Sequence, residues 1–208
     1  MLVTFEGLDG SGKTSQAQLL VERLRREGYT SVLVREPGGT PLSERIRALL
    51  LDPALTIVPF AELLLFSAAR AQLVAEVIRP ALQAGEMVVC DRFYDSTTAY
   101  QGGGRQVADI EWLQAFHLRV TGGLVPRRTY LLEVPVEVAL ERKAGEVPDR
   151  MEASGREFYE RVAATYRLLA EREPRRFVRI DGTQPVERIH ERIWEDMRQL
   201  LRVEQEQA

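Results

Sequence analysis

The feature that most constrains the fold of this chain is a glycine-rich loop between a strand pattern and a helix pattern. Residues 2–6 form the short apolar run of a buried strand, and apolar residues recur at helical spacing over residues 17–24. The loop has the spacing G-x-x-x-x-G-K-[ST], and its residues are Gly7, Leu8, Asp9, Gly10, Ser11, Gly12, Lys13 and Thr14. A strand, a glycine-rich loop and a helix in this order are typical of a phosphate-binding loop.

The rest of the chain alternates strand patterns with helix patterns. Strand patterns cover residues 2–6, 31–34, 87–90, 129–134 and 177–180, with helix patterns between them. This alternation predicts an α/β fold in which helices cover both faces of a parallel sheet. A length of 208 residues suffices for one sizeable core, so we expect a single domain over residues 1–208.

Composition and charge exclude several classes of protein. The formal net charge is −3, which argues against a chain that coats nucleic acid. No apolar run is long enough to span a bilayer, no secretory signal pattern is present, and the single cysteine, Cys90, fits a reducing compartment. We therefore expect a cytoplasmic protein with no membrane partner. The chain contains no Asn and so lacks the Asn-Lys-x-Asp motif by which regulatory GTPases recognise guanine.

The residue types of the loop predict its chemistry. Its glycines let backbone N–H groups close around a triphosphate, Lys13 reaches the β- and γ-phosphates, and Thr14 offers a hydroxyl to Mg²⁺. Asp91 follows the apolar run 87–90, where an acidic residue holds or orients Mg²⁺. Asp91 could equally cap the next helix, and the two roles are compatible. We expect ATP as the phosphate donor, with Mg²⁺ held through Thr14 and Asp91.

Arginines outside the loop indicate a second anionic substrate. Those at strand ends or in candidate loops are Arg35, Arg70, Arg92, Arg142 and Arg150. Several guanidinium groups at one crevice would hold an acceptor phosphate in line with the γ-phosphate of ATP. Such an acceptor is already a nucleophilic dianion at neutral pH, so transfer needs positioning and charge neutralisation rather than a catalytic base. His117 and His190 have no catalytic partner nearby in sequence and are expected to be structural or exposed.

Three sequence blocks resemble thymidylate kinases. They are Arg35-Glu36-Pro37-Gly38-Gly39-Thr40, then Leu65-Phe66-Ser67-Ala68-Ala69-Arg70-Ala71-Gln72, then DRFYDSTTAYQGGGR over residues 91–105. Their order and spacing match that family, and the third block is highly specific to it. The resemblance implies a three-layer P-loop kinase fold with a five-stranded parallel sheet. It also implies Mg²⁺-dependent phosphoryl transfer from ATP to dTMP, which yields ADP and dTDP, in a homodimer.

The resemblance also assigns roles around the acceptor phosphate and the sugar. Asp9 would hydrogen-bond the deoxyribose 3′-hydroxyl, and Arg92 would contact the transferred and acceptor phosphates. Tyr100 would lie where a ribose 2′-hydroxyl would intrude, although on sequence alone it could equally be a packing residue. The residues implied to bind dTMP are Asp9, Glu36, Pro37, Phe66, Arg70, Arg92, Ser96, Thr97, Tyr100 and Gln101.

For the base, the resemblance implies that Phe66 stacks on thymine, Arg70 donates to O4 and Thr97 meets the N3 edge. A planar base stacks on an aromatic ring, and its edge needs one donor and one group that both donates and accepts. Periodicity alone favours a core position for Phe66, but Arg70 one helical turn later suggests a pocket wall. Glu36 could be a surface charge on sequence alone.

A lid completes the implied site. Members of the family carry a basic group either inside the phosphate loop or in the lid, and Gly10 places this chain with the lid users. The lid is expected at about residues 142–151, where the candidates for contact with the γ-phosphate are Arg142, Lys143 and Arg150. The implied catalytic residues are Lys13, Arg92, Arg142, Lys143, Arg150 and Asp9. Alternative functions are a kinase of another nucleoside monophosphate or of a deoxynucleoside, and a non-kinase P-loop ATPase switch.

Overall fold

Five parallel strands form one sheet in the computed structural model of the chain, which describes residues 1–144, 150 and 155–207. The strands are β1 (Leu2–Glu6), β2 (Ser31–Arg35), β3 (Met87–Asp91), β4 (Arg128–Glu133) and β5 (Phe177–Asp181). Their order across the sheet is β2-β3-β1-β4-β5. In the register of the central strand, Leu2 lies opposite Val88 of β3 and Thr4 lies opposite Thr129 of β4. The predicted five-stranded parallel sheet is confirmed.

Helices cover both faces of this sheet. They are α1 (Lys13–Arg26), α2 (Pro41–Leu51), α3 (Pro59–Leu73), α4 (Arg79–Gln83), α5 (Tyr94–Thr97), α6 (Ile110–Thr121), α7 (Val136–Lys143), α8 (Arg156–Arg172) and α9 (Val186–Gln207). Because alternate strand residues point to opposite faces, the core divides in two. Val3 and Phe5 pack with Leu20 of α1 and Ile193 of α9, whereas Leu2 packs with the end of α3 on the other face. The three-layer α/β architecture is confirmed.

Two π-helical turns extend the helical segments, and neither follows from the sequence pattern. One lies between α3 and α4 at Val74–Ile78, and the other, Thr98–Gly104, continues α5. The second turn carries Tyr100 and Gln101 and packs against α8. A Cβ on Gly103 would clash with the Thr165 side chain, so this close packing requires glycine. Turns of this kind occur frequently at functional sites.

The carboxyl ends of β1, β3 and β2 lie side by side at one edge of the sheet. Phe5 pairs with Asp91, and Asp91 pairs with Arg35, so the loop that follows β1 begins next to the acidic end of β3. Ligands of open parallel sheets bind at this edge. No helix within the described residues is long and apolar enough to cross a membrane.

Candidate active site

The phosphate-binding loop turns from β1 into α1, which begins at Lys13. Gly7, Gly10 and Gly12 have φ angles of 137°, 76° and 95°, which are favourable only for glycine. A Cβ on Gly7 would clash with the carbonyl oxygen of Leu132 in β4, so glycine is also needed for close approach. The loop therefore has the backbone shape that lets successive N–H groups surround a phosphate.

Lys13 is buried under this loop. Its Nζ donates to the carbonyl oxygen of Leu8 at 2.6 Å. Burial and the nearby Arg92 guanidinium lower the pKa of Lys13 to about 8, and Asp9 and Asp91 oppose the shift. A bound polyphosphate would bring negative charge to the ammonium group and so raise its pKa again.

Thr14 and Asp91 form an oxygen pair at the mouth of the loop. Thr14 Oγ1 donates to Asp91 Oδ2 at 2.5 Å, and Asp91 Oδ1 is buried without a hydrogen-bond partner among the described residues. A hydroxyl beside a carboxylate oxygen that lacks a partner fits Mg²⁺, which prefers hard oxygen ligands and takes the rest from phosphates and water. The next helix, α5, has Phe93 at its N-cap without a side-chain hydrogen bond, so Asp91 does not cap it.

A cavity beside the loop, which we call the acceptor cavity, is lined by all ten residues predicted to bind dTMP. Its lining residues are Asp9, Glu36, Pro37, Arg47, Leu51, Phe66, Arg70, Arg92, Phe93, Ser96, Thr97, Tyr100 and Gln101. Phe66 lies partly buried on the cavity wall and also packs on Ile46 and Leu50 of α2. The pocket and core interpretations of Phe66 therefore both apply.

The far end of the acceptor cavity is built around a buried ion pair. Arg70 Nε donates to Glu36 Oε2 at 2.7 Å, and Arg70 Nη2 donates to Thr97 Oγ1 at 2.9 Å. Arg70 Nη1 and Glu36 Oε1 are buried and lack hydrogen-bond partners within the described part of the chain. Burial raises the pKa of Glu36 to about 7 against the pull of Arg70. This end therefore offers an unused donor and an unused acceptor, so Glu36 is a cavity residue rather than a surface charge.

Arg92 lies where the cavity meets the phosphate-binding loop. Its Nη2 donates to Asp9 Oδ1 at 2.5 Å, and its Nη1 donates to Ser96 Oγ at 2.9 Å. The Tyr100 hydroxyl donates to Asp9 Oδ2 at 2.9 Å. Burial by itself would raise the pKa of Asp9, but Arg92 and Lys13 hold that pKa well below its ordinary value. Asp9 is therefore an ionised acceptor beside a fixed guanidinium.

A second cavity, which we call the donor cavity, lies over the loop. Its lining residues are Asp9, Gly10, Gly12, Lys13, Thr14, Ser15, Arg35, Glu36, Arg47, Asp91, Arg92, Arg142 and Lys143. The residues common to both cavities are Asp9, Glu36, Arg47 and Arg92. Gly7, Leu8 and Ser11 of the loop do not line the donor cavity, and the first two face a small third cavity beside β4 and α8. The donor and acceptor cavities thus adjoin at Arg92.

Two of the predicted lid cations lie at the donor cavity. Arg142 and Lys143, at the end of α7, both line it. The Arg142 guanidinium donates to the carbonyl oxygens of Gly10 and Gly182, each at 3.1 Å. Arg142 therefore ties α7 to the phosphate-binding loop while facing the donor cavity.

Arg150 lies elsewhere. Its Nε donates to the carbonyl oxygen of Leu50 at 2.9 Å, and its Nη2 forms an ion pair with Glu62 Oε2 at 2.6 Å. It lines neither the donor nor the acceptor cavity. Residues 145–149 and 151, which make up most of the expected lid, lie outside the described residues.

Sequence reasoning missed Arg47. This residue of α2 lines both cavities, and its Nη1 donates to the Pro37 carbonyl oxygen at 3.0 Å. Arg47 and Leu51 are four residues apart on one helix and both line the acceptor cavity. Phe66 and Arg70 have the same i, i+4 spacing, and the criterion that identified them could also have identified Arg47 and Leu51.

Neither histidine lines the donor or the acceptor cavity. His117 is buried, with Nε2 3.1 Å from Thr98 Oγ1, and it stacks on the Tyr94 ring. Burial lowers its pKa to about 2, so His117 is neutral. This accords with the expected structural role.

A glycine-rich loop that leads into α1, and a donor and an acceptor cavity that share Asp9, Arg47 and Arg92, define a P-loop kinase of the nucleoside monophosphate class. Residues 5–193 match the family model described as thymidylate kinase. The thymidylate kinase of Pelodictyon phaeoclathratiforme is 48% identical over 203 residues, which cover 93% of this chain and 93% of that protein. The chain belongs to the thymidylate kinase family and is a phosphotransferase.

Two further similarities agree with this membership. The thymidylate kinase of Deinococcus radiodurans is 46% identical over 195 residues, which cover 93% of this chain and 94% of that protein. A crystal structure of thymidylate kinase from Ehrlichia chaffeensis matches with a TM-score of 0.78 and 34% identity over 95% of this chain and 98% of that one. The resemblance inferred from the three sequence blocks is thus confirmed, as is the P-loop kinase fold.

Proposed function

We propose that the chain transfers the γ-phosphoryl group of ATP to dTMP and so forms ADP and dTDP. The observation that carries this proposal is the junction of the two cavities at Arg92 and Asp9. One cavity holds the phosphate-binding loop, and the other ends in an unused hydrogen-bonding edge that suits a base. A nucleotide that spans the acceptor cavity would bring its phosphate to the junction.

Thymine fits the far end of the acceptor cavity. Its O4 would accept from the unused Arg70 Nη1, and its N3–H would donate to Thr97 Oγ1, which already accepts from Arg70 Nη2. Phe66 on the wall would stack on the ring. The amino group of cytosine would oppose a guanidinium that has only donors, so the site would reject it.

The sugar and phosphate would lie at the junction. Asp9, held ionised, would accept from the 3′-hydroxyl, and Tyr100 would contact the deoxyribose. Arg92 would bind the acceptor phosphate and the transferred group. The cavity residues Pro37, Ser96 and Gln101 would complete the enclosure of dTMP.

Charge neutralisation would drive the transfer. Lys13 and Arg92 would spread positive charge over the moving phosphoryl group, and the acceptor phosphate, already an anion, needs no base. When bound, Mg²⁺ would neutralise the β- and γ-phosphates. Thr14 Oγ1 and Asp91 would hold it, which is consistent with the unpaired Asp91 Oδ1.

A lid cation would complete the neutralisation and help to exclude water. Lys143 and Arg142 suit this role because both line the donor cavity. Arg150 would have to leave Glu62 to reach the phosphates, so it is the least suited of the three predicted cations. We propose a single kinase domain over residues 1–208, with a lid at about residues 142–151.

A homodimer and a cytoplasmic location are part of the proposal. Phe60, Leu64, Trp112 and Leu118 are exposed apolar residues of α3 and α6, and the rings of Phe60 and Trp112 lie 6.5 Å apart. Adjacent exposed apolar side chains favour a protein interface. The buried free thiol of Cys90 suits a reducing cytoplasm. Sedimentation should give twice the chain mass of 23.6 kDa, and a monomer would exclude the dimer.

The substrate is tested by coupled measurement of ADP release with dTMP, dUMP, UMP, AMP, CMP and GMP. We expect the highest kcat/KM with dTMP and little ADP release without an acceptor. Faster turnover of AMP or GMP would identify another nucleoside monophosphate kinase. A rate of ADP release that is the same with and without every acceptor would instead indicate an ATPase switch.

A further inference from the structure

A buried hydrogen-bond network lies against the Nη1 side of the Arg92 guanidinium. Its centre is Glu6, a fully buried residue at the end of β1. Glu6 Oε2 accepts from Ser96 Oγ at 2.5 Å and from the Tyr166 hydroxyl at 2.9 Å, and Glu6 Oε1 accepts from the backbone N–H of Phe93 at 2.8 Å. The network thus joins β1, α5 and α8.

The hydroxyl groups of Ser96 and Tyr166 lie between Glu6 and Arg92. Arg92 Nη1 donates to Ser96 Oγ at 2.9 Å and to the Tyr166 hydroxyl at 3.3 Å. A guanidinium has only donors and a carboxylate only acceptors. Each hydroxyl satisfies both of these neighbours when it gives its proton to Glu6 and accepts from Arg92, and the two hydroxyl oxygens also lie 2.8 Å apart. The Glu6 carboxylate thus favours the orientation in which both hydroxyls accept from Arg92.

Glu6 also holds the backbone at Arg92. Arg92 has a φ of 69°, a left-handed conformation that is unfavourable for a residue with a side chain and persists only where its surroundings enforce it. Its backbone N–H donates to the Phe5 carbonyl oxygen at 3.0 Å, and the next N–H, that of Phe93, is held by Glu6. One carboxylate therefore constrains both the backbone and the side chain of Arg92.

We propose that Glu6 and Tyr166 are positioning residues of phosphoryl transfer, which hold the Arg92 guanidinium at the junction of the two cavities. Asp9 holds one end of the guanidinium, and the hydroxyls directed by Glu6 hold the other. Neither Glu6 nor Tyr166 lines the donor or the acceptor cavity, so each acts through residues that do, Arg92 and its partner Ser96. The inference rests on the role proposed above for Arg92 at the phosphates.

The ionised form of Glu6 is the one that this arrangement needs. Burial and the nearby Asp95 raise the pKa of Glu6 to about 7, while the Ser96 hydroxyl, the Arg92 guanidinium and the Phe93 N–H favour the carboxylate. Assays at pH 8 therefore test the network with Glu6 ionised.

The test compares Glu6→Gln and Tyr166→Phe, each alone and in an Arg92→Ala background. Each single change should lower kcat about tenfold or more, with KM for ATP changed by less than about threefold, because a displaced guanidinium loses charge stabilisation in the transition state. When Arg92 is already Ala, either change should lower kcat by less than about twofold further.

Tyr130→Phe is the matched control. It also removes a buried hydroxyl that donates to a carboxylate, Asp196 Oδ2 at 2.9 Å, but on the face of the sheet away from Arg92. It should lower the thermal midpoint comparably and leave kcat unchanged. Tyr166→Phe keeps its ring packing, so it remains informative if Glu6→Gln does not fold.

Three results would overturn the inference. Unchanged kcat in Tyr166→Phe would show that the hydroxyl does not position Arg92. An equal loss of kcat with and without Arg92 would show that the network acts independently of it. Unchanged kcat in Arg92→Ala itself would remove the proposed role of Arg92, and that result is distinct from a failure of the positioning residues alone.

Discussion

The acceptor and donor cavities share four residues but are built in different ways. The base end of the acceptor cavity consists of buried side chains that bind one another, with Arg70, Thr97 and Glu36 each at most 5% exposed. The donor cavity consists of a glycine backbone over buried Lys13, with cations at the end of α7 beside it. Preformed side-chain pairs discriminate between bases, whereas a backbone cradle binds any triphosphate. Selectivity should therefore reside in the acceptor cavity and most of the catalytic power at the loop.

The largest effect should come from Lys13→Met. This change removes the buried ammonium from the loop while keeping a side chain of similar length, so we expect kcat to fall by about 10²–10³-fold. Binding of dTMP should change little, because Lys13 does not line the acceptor cavity. Steady-state kinetics and dTMP titration would measure the two effects. If dTMP affinity fell by as large a factor as kcat, the two cavities would not act separately in binding and catalysis.

Arg70→Met should act mainly on acceptor binding. Loss of the guanidinium removes the proposed donor to O4, and we expect about a 100-fold weaker dTMP affinity with little change for ATP. It also leaves Glu36 buried without its partner, which should lower the free energy of unfolding by about 3–5 kcal/mol. The double change Arg70→Met with Glu36→Gln should recover much of that stability in urea denaturation. If dTMP affinity recovered as well, the binding loss would have been a folding effect.

Much of this arrangement could be predicted from sequence because its signals are local. The loop spacing predicts the cradle, and the apolar runs predict the five strands. The acceptor residues follow from the resemblance of three motif blocks to thymidylate kinases. Asp91, at a strand end, belongs to the same class of local signal.

Two residues that sequence reasoning missed, Glu6 and Tyr166, depend on tertiary packing. Glu6 meets Tyr166, which is 160 positions away, only because α8 packs on the π-helical turn Thr98–Gly104 and on β4. A lone Glu at the end of an apolar strand was the available signal, but it does not reveal its partner. Similarly, Arg150 has the charge of a lid cation, but its direction depends on where the chain returns to Glu62 of α3.

Substitutions of the lid cations should have smaller effects on kcat than Lys13→Met, and they test which cation serves the donor cavity. The resemblance implies that Arg150 is a candidate lid cation, and in that role Arg150→Ala would lower kcat with little change in dTMP affinity. Because Arg150 contacts Leu50 and Glu62 whereas Lys143 lines the donor cavity, we expect Lys143→Ala to lower kcat about tenfold and Arg150→Ala to lower kcat less. Arg150→Ala should instead raise KM for dTMP, because Arg150 braces Leu50 and Glu62 behind the acceptor cavity. A larger kcat loss in Arg150→Ala than in Lys143→Ala would return the role to Arg150.

The pH dependence of ATP binding should report on Lys13 in the donor cavity. The pKa of Lys13 is lowered to about 8 in the free protein, and a bound triphosphate should raise it, so ATP binding above pH 8 should take up a proton. Affinity for ATP is then greatest well below pH 8, where Lys13 is protonated, and should weaken about tenfold between pH 7.5 and 9 as the ammonium deprotonates. Calorimetry in two buffers would measure the proton uptake, and pH-independent ATP affinity would contradict the lowered pKa.

The smallest effect should be that of Tyr100 on the choice of sugar. Tyr100→Ala removes the ring that we propose to lie against the deoxyribose, and the preference of kcat/KM for dTMP over its ribose counterpart should narrow about fivefold. Tyr100→Phe keeps the ring but loses the hydrogen bond to Asp9, so it should retain the preference while lowering activity towards both substrates. If Tyr100→Ala left the preference unaltered, Tyr100 would be a packing residue of the acceptor cavity. Selectivity there would then come from the base edge at Arg70 rather than from the sugar.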